Sequence, residues 1–423
     1  MQKTHIQPSL SQLFSACIGN IFEHYDTALF GFLSTFLAGF IFPQEDPITA
    51  LILTYAMIPL GMLSRPLGAL VFGYIGDTYG RQQALFLTLF GMSVVTGFIA
   101  FTPTYQQIGI LSPIFFCLGR ILQNFFSSGE TMGGAIFLLE NSSNQKHDLL
   151  SSLYNATTIA GILLASVGVT LLSSYDLIDQ GWRFLYLIGC LTGVFGFVIR
   201  KKLPTKPIKT LNVKRESFLH FFKNCWKYKY PMMSIAIVSG FSYANYSIAL
   251  IFMNGFIPLV SDVTKTEMMQ VNTWLLILDL CTLPLFGWLS SKYSREKIML
   301  VSSLAVVCSG VPLLMTLVNA SLLGIIGVRI CLVLLGAAFF APFHAWALQL
   351  IPVKDRYGII SFAYAIGAQI LGGPAAAISL WLYKKTGIVS SVSWYWVFLA
   401  TLSSFCIVKT MKLLQKNFVY SSS

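Results

Sequence analysis

Long apolar stretches recur from one end of this sequence to the other, and they constrain its fold more than any other feature. Each is close to the roughly 20 residues that a helix needs to cross a hydrocarbon core of about 30 Å. Hydrophobic residues make up 55% of the 423 residues, charged residues only 10%, and the mean hydropathy is +0.71. Lipid offers no partner to unpaired backbone groups, so the spans must be helices or closed barrels. Because the ten-residue alternation of barrel strands is absent, the sequence predicts an all-α integral membrane protein.

We place twelve transmembrane helices in two six-helix halves, separated by one long basic interruption. The interruption, residues 201–230, is expected to be a cytoplasmic linker between an N-terminal half, residues 1–200, and a C-terminal half, residues 231–423. Its aromatic residues leave open a second interpretation, an amphipathic segment lying on anionic lipid. The predicted spans are residues 13–40, 50–76, 83–102, 108–140, 150–173, 183–200, 231–260, 271–290, 298–318, 321–350, 357–382 and 394–411.

Most of the 28 Lys and Arg residues fall in alternate loops, which is the positive-inside signature of membrane topology. We therefore expect a multi-pass protein of the cell (inner) membrane with both termini in the cytoplasm. The formal charge of +12 then reflects topology, and no nucleic-acid partner is expected. The N-terminal residues lack a cleavable signal pattern, so the first span is expected to stay in the mature chain.

Several function classes are disfavoured by missing motifs. The eight cysteines are scattered without a C-x-x-C pair, which argues against a disulfide framework or a zinc site. The sequence contains no H-E-x-x-H or G-x-S-x-G pattern, and we expect neither an enzyme nor a bound cofactor. The absence of a G-x-x-x-x-G-K-[ST] loop excludes a primary pump for this chain alone. Nothing in the sequence requires more than a monomer.

A short fragment is repeated across the central interruption. "GYIGDTYGRQQAL" begins at Gly73 and "GWLSSKYSREKIM" begins at Gly287, so that Arg81 and Arg295 occupy equivalent places. An internal repeat on either side of a linker is typical of secondary transporters.

The first copy of the fragment carries a family resemblance. Gly73, Asp77, Gly80 and Arg81 form G-x-x-x-D-x-x-G-R, which resembles the loop motif of the major facilitator superfamily. The stretches "GNIFEHYDTALFGF", "LGRILQNFFSSGETMGGAIFLLE" and "QGWRFLYLIG" are similar to the metabolite:proton symporters, which include proline/betaine and 2-oxoglutarate permeases. The resemblance implies proton-coupled symport of a small carboxylate-bearing metabolite, either a zwitterion or a dicarboxylate. Family members often read E-W-x-D-F where this chain has "EHYDT", and this departure leaves the substrate open.

The resemblance also implies a conformational latch at the repeated loop. Asp77 and Arg81, with Gly80 between them, are expected to pair with helix ends such as Glu130 or Glu140. Arg295 is the counterpart in the second half. This group is a predicted gate and not a binding site.

The first span contains two carboxylates. Glu23 and Asp26 are three residues apart and therefore share a helix face. A charge at mid-depth costs about 2.5 to 3.5 kcal/mol on insertion scales, so this face is expected to point inward. A carboxylate held there can carry a coupling proton or contact substrate. Alternatively, the two groups only pair with an arginine and hold helices together. His24 points to a different face and is not expected to take a direct part.

Arg120, near the middle of the fourth span, needs a carboxylate partner. Three partners remain open: the carboxylate of a substrate, a permanent ion pair with Glu23 or Asp26, or a switch between these two, which would couple proton binding to substrate release.

Other polar residues within spans are candidates for a substrate cavity, although helix packing is an alternative for each. Arg329 is the most ambiguous, because it can also snorkel to the interface or pair with Asp279. The candidates are Arg65, Tyr243, Asn245, Asp279 and Arg329.

The leading hypothesis is secondary active transport by alternating access, with a small molecule and protons as the transported species. The alternative is a uniporter or a non-transporting receptor on the same fold. Neutralising Glu23 and Asp26 discriminates between them, because a passive uniporter can retain exchange without a coupling carboxylate.

Overall fold

The chain folds into a bundle of successive helical units. The computed structural model describes residues 10–79, 81–128, 133–140, 146–202, 225–318, 320–352 and 356–421. Its helices form twelve units, here called α1 to α12, and these residues contain no strand. An even number of crossings returns the chain to the face at which it began. We call this face the terminal face and the other the opposite face.

The first six units precede the predicted linker. Asp46 caps α2, because its carboxylate accepts hydrogen bonds from the backbone N–H groups of Ile48 and Thr49 at 3.1 and 3.0 Å. A turn divides α2 immediately before Arg65 and Pro66, and the proline nitrogen has no proton to continue the helical ladder. The bounds are α1 Leu10–Ile41, α2 Pro47–Met62 and Arg65–Tyr79, α3 Arg81–Ala100, α4 Leu111–Ser127 and Gly133–Glu140, α5 His147–Ser174, and α6 Ile178–Lys202.

The last six units include two helices with π-helical turns. These turns, Ser247–Phe252 in α7 and Gly367–Gly372 in α11, interrupt otherwise α-helical spans. The bounds are α7 Lys229–Tyr246, Ser247–Phe252 and Met253–Val260; α8 Lys265–Tyr293; α9 Arg295–Met315; α10 Leu322–Phe340 and Phe343–Leu350; α11 Arg356–Ile366, Gly367–Gly372 and Ala375–Thr386; and α12 Trp394–Ser421.

The helices are those of a membrane protein. Among the described residues, eight helical stretches are long and apolar enough to cross a bilayer. The predicted all-α fold of twelve transmembrane helices is confirmed, and most predicted ends lie within a few residues of the observed ones. The clearest difference is α12, which continues ten residues past the predicted end at position 411. Residues 203–224 of the predicted linker lie outside the described residues.

Two glycines allow the close helix approaches that position the interior polar groups. A Cβ atom on Gly161 of α5 would lie 2.1 Å from the backbone oxygen of Ile21 in α1. A Cβ atom on Gly68 of α2 would lie 2.1 Å from the backbone oxygen of Phe125 in α4. Only glycine fits either contact, so α1 lies directly against α5 and α2 directly against α4.

Candidate functional site

A central cavity of about 1030 Å³, its open space included, lies between units from both sides of the linker. Helices α1, α2 and α5 line it from one side, and α7, α8, α10 and α11 line it from the other. Its walls combine apolar and polar side chains, as in small-molecule sites generally. The polar lining residues are Asn20, His24, Thr27, Arg65, Tyr154, Thr158, Ser242, Tyr243, Asn245, Tyr246, Asp279, His344 and Tyr364.

Four of the five predicted cavity residues line this space, namely Arg65, Tyr243, Asn245 and Asp279. Asp279 is 7% exposed, and its Oδ1 atom has no hydrogen-bond partner among the described residues. Asn245 instead uses its side-chain oxygen to accept a hydrogen bond from the indole N–H of Trp396 at 2.5 Å. The cavity lining thus contains one guanidinium, that of Arg65, and one carboxylate, that of Asp279.

Arg329, the fifth predicted residue, lies outside the cavity lining, and this corrects the sequence-based assignment. Its side chain is 0% exposed, which excludes snorkelling to the interface. Its guanidinium donates to the backbone oxygens of Met268 at 3.2 Å and Ala249 at 3.1 Å, and to Asn272 Oδ1 at 2.7 Å. Asp279 is not among these acceptors. Arg329 therefore joins α10 to α7 and α8 through neutral oxygens.

Aromatic rings surround the cavity end nearer the terminal face. The ring of His344 lies 5.9 Å from that of Tyr154, 6.1 Å from Phe340 and 6.5 Å from Tyr364, measured between centroids. The rings of Tyr243 and Tyr246 lie 6.0 Å apart on α7. Sequence reasoning missed Tyr154 and Tyr364, because a tyrosine in an apolar span gives no sign of which way it faces.

His24 also lines the cavity, although no direct part was expected for it. Its Nδ1 atom lies 2.8 Å from the backbone oxygen of Asn20, and the amide of Asn20 donates to Thr157 and Thr158 on α5 at 2.8 and 2.9 Å. The spacing of Asn20, His24 and Thr27 along α1, four and then three residues, is the signal that would have identified this polar face.

Glu23 and Asp26 occupy a second, smaller cleft between α1, α3 and α4. They share this cleft, as their three-residue spacing requires, and it lies on a different face of α1 from His24. Both side chains are 4% exposed. The lining residues of the cleft are Gly19, Phe22, Glu23, Asp26, Thr88, Leu89, Met92, Ser93, Phe126 and Ser127.

Each of the two carboxylates is connected to one arginine. Glu23 Oε1 lies 3.9 Å from Arg65 Nη2, and the Nε atom of Arg65 donates to Asn124 Oδ1 on α4 at 2.9 Å. Arg65 is thus shared between the cavity that it lines and the carboxylate on the far side of α1.

Asp26 is connected to Arg120 through two intervening side chains. Arg120 Nη1 donates to Gln123 Oε1 at 2.6 Å, Gln123 Nε2 donates to Thr96 Oγ1 at 3.0 Å, and Thr96 Oγ1 donates to Asp26 Oδ2 at 3.2 Å. The guanidinium also lies over the ring of Phe30, 4.7 Å from its centroid. Arg120 lies outside the lining of the central cavity, and its connection to Asp26 is relayed and not direct.

The terminal face is closed by contacts between units on either side of the linker. Arg295, the predicted second-half gate residue, bonds both oxygens of Asp148 through Nε at 3.0 Å and Nη2 at 3.1 Å. Its Nη1 atom donates to the backbone oxygen of Ala345 at 2.9 Å. Nearby, Ser151 and Asn155 of α5 donate to backbone oxygens of α10, each at 2.8 Å. We call the Asp148–Arg295 ion pair the terminal latch.

The remaining predicted gate residues fall outside the part of the chain that the structure describes. Gly80 and Glu130 are outside the described residues altogether, and the side chains of Asp77, Arg81 and Glu140 are also outside them. Their predicted latch therefore stays a prediction.

The opposite face is also bridged. Lys384 at the end of α11 donates to Asp46 Oδ2 at 3.0 Å and to the hydroxyl of Thr49. Below it, the Tyr55 hydroxyl donates to the backbone oxygen of Ile251 in the π turn of α7 at 3.2 Å. The central cavity thus lies between two sets of contacts, one at each face.

A helical membrane bundle with a central cavity of mixed polar and apolar lining, and with buried carboxylates beside it, has the architecture of a transporter. Two family profiles match the chain: "Sugar (and other) transporter" over residues 13–217 and "Major Facilitator Superfamily" over residues 232–414. The chain belongs to the major facilitator superfamily, whose members are transporters and not enzymes.

Curated relatives resemble the chain over most of its length. A putative proline/betaine transporter of Staphylococcus haemolyticus is 27% identical, covering 92% of this chain and 85% of that protein. A glycine betaine/proline/ectoine/pipecolic acid transporter of Dickeya dadantii is 26% identical, covering 92% and 80%. A citrate-proton symporter of Klebsiella pneumoniae is 28% identical, covering 91% and 87%. The predicted resemblance to proline/betaine permeases is confirmed.

Solved structures support the same fold. A D-xylose-proton symporter superimposes with a TM-score of 0.74, covering 94% of this chain and 96% of that chain, at 16% sequence identity. A partially occluded, inward-open form of the xylose transporter XylE from E. coli gives 0.73 at 17% identity, covering 94% and 97%. At these identities the similarity concerns the fold alone.

Proposed function

We propose that this protein is a proton-coupled symporter of a small zwitterion that carries a carboxylate and a cationic nitrogen. The observation that carries the proposal is the charge pattern of the central cavity, which places Arg65 and Asp279 in one lining. Two groups of opposite charge suit a ligand with two opposite charges, because each charge that leaves water needs a partner.

Asp279 favours the zwitterion over a dicarboxylate. A dicarboxylate such as 2-oxoglutarate would bring a second negative charge into a site that already holds a buried carboxylate, and like charges in a dry cavity repel strongly. The tyrosine and histidine rings around the cavity add faces on which a quaternary ammonium group can rest. Relatives named as proline/betaine and glycine betaine transporters are consistent with this chemistry.

The coupling proton is proposed to bind one of the two carboxylates of the first span, Glu23 or Asp26. Both are buried in the first span, and each is connected to an arginine, Arg65 or Arg120, whose interactions change when the carboxylate is neutralised. The relative named as a citrate-proton symporter supports the use of protons. Moving one charge through about 100 mV is worth roughly 2.3 kcal/mol. Since about 1.4 kcal/mol corresponds to a factor of ten, one proton per substrate supports a concentration ratio of roughly 50.

Alternating access is proposed to use the two sets of bridges in turn. Residues 1–200 and 231–423 would move as two six-helix halves about the central cavity. The terminal face would be cytoplasmic, as the positive-inside pattern predicts, with the protein in the cell (inner) membrane. The terminal latch would open toward the cytoplasm, whereas the Asp46–Lys384 bridge would open to the outside. The predicted loop latch of Asp77 and Arg81 would act on the same face as the terminal latch.

The test is transport by purified protein in liposomes with an imposed inward proton gradient. Labelled proline, glycine betaine, 2-oxoglutarate and citrate are offered separately. We expect accumulation of proline or glycine betaine that collapses when a proton ionophore is added. Accumulation of citrate or 2-oxoglutarate alone would overturn the proposal that the substrate is a zwitterion. Substrate that only equilibrates across the membrane, with or without the ionophore, would indicate a uniporter. Binding without flux would indicate a receptor.

A matched pair of variants tests the role of Asp279. Asp279→Asn removes the cavity carboxylate at nearly constant volume and is expected to reduce zwitterion uptake at least tenfold, which corresponds to about 1.4 kcal/mol. Asp262→Asn changes an exposed carboxylate outside the cavity and is the control. Equal uptake by the two variants would contradict the proposed site.

A further inference from the structure

Helix α1 has two polar faces that open into different spaces. Asn20, His24 and Thr27 face the central cavity, whereas Glu23 and Asp26 face the cleft between α1, α3 and α4. Among the described residues, no side chain of α1 lines both spaces. Both carboxylates therefore line the cleft and not the central cavity.

The cleft extends from Asp26 toward the terminal face. Gly19 lies one turn nearer the start of α1 than Glu23, and Ser127 lies at the end of the first segment of α4. Besides the two carboxylates, the polar groups of the lining are the hydroxyls of Thr88, Ser93 and Ser127. The cleft has room for about one water molecule, and such a polar pocket is able to hold one.

Arg65 is the link between the two spaces. Its side chain lines the central cavity, yet its guanidinium lies 3.9 Å from Glu23 Oε1 in the cleft. Asn124 fixes the Nε side of the guanidinium at 2.9 Å. The Glu23–Arg65 ion pair thus connects a cleft residue to a cavity residue.

We propose, building on the symport function proposed above, that Glu23 exchanges its proton with the terminal face through the α1–α3–α4 cleft, separately from the substrate, and that the Glu23–Arg65 ion pair transmits protonation to the substrate site. Arg65 is thereby assigned as the residue whose interactions depend on both the proton on Glu23 and the substrate in the cavity.

The coupling step conserves charge and atoms. A proton that enters while the protein is open at the opposite face binds a carboxylate oxygen of Glu23, which becomes neutral and no longer forms an ion pair with Arg65. The guanidinium, still held by Asn124, then pairs with the carboxylate of the substrate in the cavity. When the substrate leaves, Arg65 returns to Glu23, and the proton departs through the cleft to the terminal face. Each ligand strengthens the binding of the other, as linkage requires.

Several charged or titratable groups surround Glu23 and could take over its role in a pH response. Asp26 on α1 shares its cleft, Arg65 on α2 pairs with it, and Tyr364 on α11 interacts with it electrostatically. Arg120 on α4 interacts electrostatically with Asp26 and with Tyr243 on α7. Tyr243 also interacts with Arg65. Of these, Asp26 is the other carboxylate, so it provides the matched comparison.

The first experiment measures protons taken up when substrate binds. Purified protein in weakly buffered detergent is mixed with glycine betaine, or with proline, and a pH-sensitive dye reports the proton change alongside a calorimetric binding measurement. We expect roughly one proton taken up per bound zwitterion by the unaltered protein, and affinity that weakens by up to about tenfold per pH unit as the pH rises.

Two neighbouring variants separate the carboxylates. Glu23→Gln is expected to abolish the proton uptake and to remove the pH dependence of the affinity, whereas Asp26→Asn is expected to retain both. Uptake that disappears in Asp26→Asn and persists in Glu23→Gln would overturn the assignment. Binding by the unaltered protein without any proton uptake would overturn the coupling alone, whereas no binding of either zwitterion would overturn the proposed substrate class as well.

The second experiment tests the route. Ser93→Val fills part of the cleft without touching Arg65, and Thr158→Val alters the lining of the central cavity by one isosteric change. In stopped-flow mixing, Ser93→Val is expected to slow the rate of proton uptake severalfold at unchanged final amplitude. Thr158→Val is expected to change the affinity for the zwitterion and to leave the rate of proton uptake as in the unaltered protein. Unchanged proton kinetics in a folded Ser93→Val protein, verified by its melting temperature, would overturn the separate route.

Discussion

Arg295 at the start of α9 and Asp148 at the start of α5 form a two-point ion pair, with nitrogen–oxygen distances of 3.0 and 3.1 Å. The side chains are 19% and 6% exposed, respectively, so the pair is largely withdrawn from water. The pair connects a helix that precedes the linker to one that follows it. It therefore bears on whether the terminal face is open or closed, and not on the stability of either set of helices alone.

Breaking the terminal latch is expected to favour the state open at the terminal face. Asp148→Asn leaves a partly buried guanidinium without its carboxylate; fully buried pairs lose about 3 to 5 kcal/mol in this way, and partial exposure reduces the loss. Spin labels at the exposed positions Lys146 and Lys297, in a background without reactive cysteines, should report longer distances.

The charge-exchanged protein Asp148→Arg with Arg295→Asp is the control for this latch. It restores an ion pair in reversed order and should recover part of the short-distance population. Identical distance distributions in the unaltered protein and in Asp148→Asn would mean that the latch does not hold the face closed.

Replacing Gln123 is expected to uncouple Arg120 from Asp26. Gln123→Leu removes the acceptor of Arg120 and the donor to Thr96, and each unsatisfied buried group costs about 1 to 3 kcal/mol. Gln123→Glu instead gives Arg120 a direct carboxylate partner. We expect both variants to slow accumulation, because Arg120 and Asp26 no longer share one chain of hydrogen bonds, but only the leucine variant to melt at a lower temperature.

The control for Gln123 is Gln270→Leu, which changes an exposed glutamine on the opposite face that bonds Ser174. It should leave accumulation intact. Full accumulation by Gln123→Glu would show that the relay between Arg120 and Asp26 is structural only.

A methyl group at Gly189 is expected to displace the Asp26 carboxylate. A Cβ atom there would lie 2.2 Å from Asp26 Oδ1, far inside van der Waals contact. Gly189→Ala should therefore lower stability by about 1 to 3 kcal/mol, in the range of overpacked cores, and impair transport. Gly97→Ala is the matched control, because its Cβ atom would meet only Cys190 Sγ, at an ordinary 3.5 Å. Equal melting temperatures for the two variants would contradict the crowding around Asp26.

The bridge at the opposite face is expected to survive acidification. Hydrogen bonds from the side chain and then the backbone of Thr49, followed by Lys384, hold the pKa of the Asp46 carboxyl below its usual range. A lowered pKa means that the contribution of Asp46 is present above the unfolded-state value of about 3.9 and is lost only as the pH falls through the lower folded-state value.

Asp46→Asn, which keeps the helix cap but removes the charge, should accordingly change uptake by the same factor at about pH 5 and about pH 7. Initial uptake rates at the two values are the measurement. A factor that shrinks toward one at the lower pH would show that Asp46 is already protonated there.

The helices were predictable from the sequence because twenty-residue apolar stretches have few alternatives in a bilayer. The shared face of Glu23 and Asp26 followed from helical periodicity in the same way. The partner of each carboxylate could not be predicted in this way, because Arg65 and Thr96 belong to other helices. A single sequence carries no information on which helices adjoin. Relays through neutral groups such as Gln123 are harder still, since amides and hydroxyls are abundant in every span.

Arg329 illustrates a second limit of sequence reasoning. A buried arginine predicts a carboxylate partner, but three neutral oxygens can satisfy a guanidinium when they converge. One of them, on Ala249, lies in the π turn of α7, and the apolar sequence "SIALIF" gives no sign of that turn. The position of Arg329 could be read from the sequence, whereas its acceptors could not.

The π turn of α7 fixes a length as well as a shape. One residue of an α-helix corresponds to about 100° of rotation, so the extra residue that a π turn accommodates sets the angular offset between the two ends of the helix. Deleting any one residue of Ser247–Phe252 would let α7 run on as a plain helix and would turn Asn254 and Phe256 away from the interior. The number of residues between Tyr246 and Met253 therefore determines which side chains of α7 face the interior, in addition to the identity of those side chains.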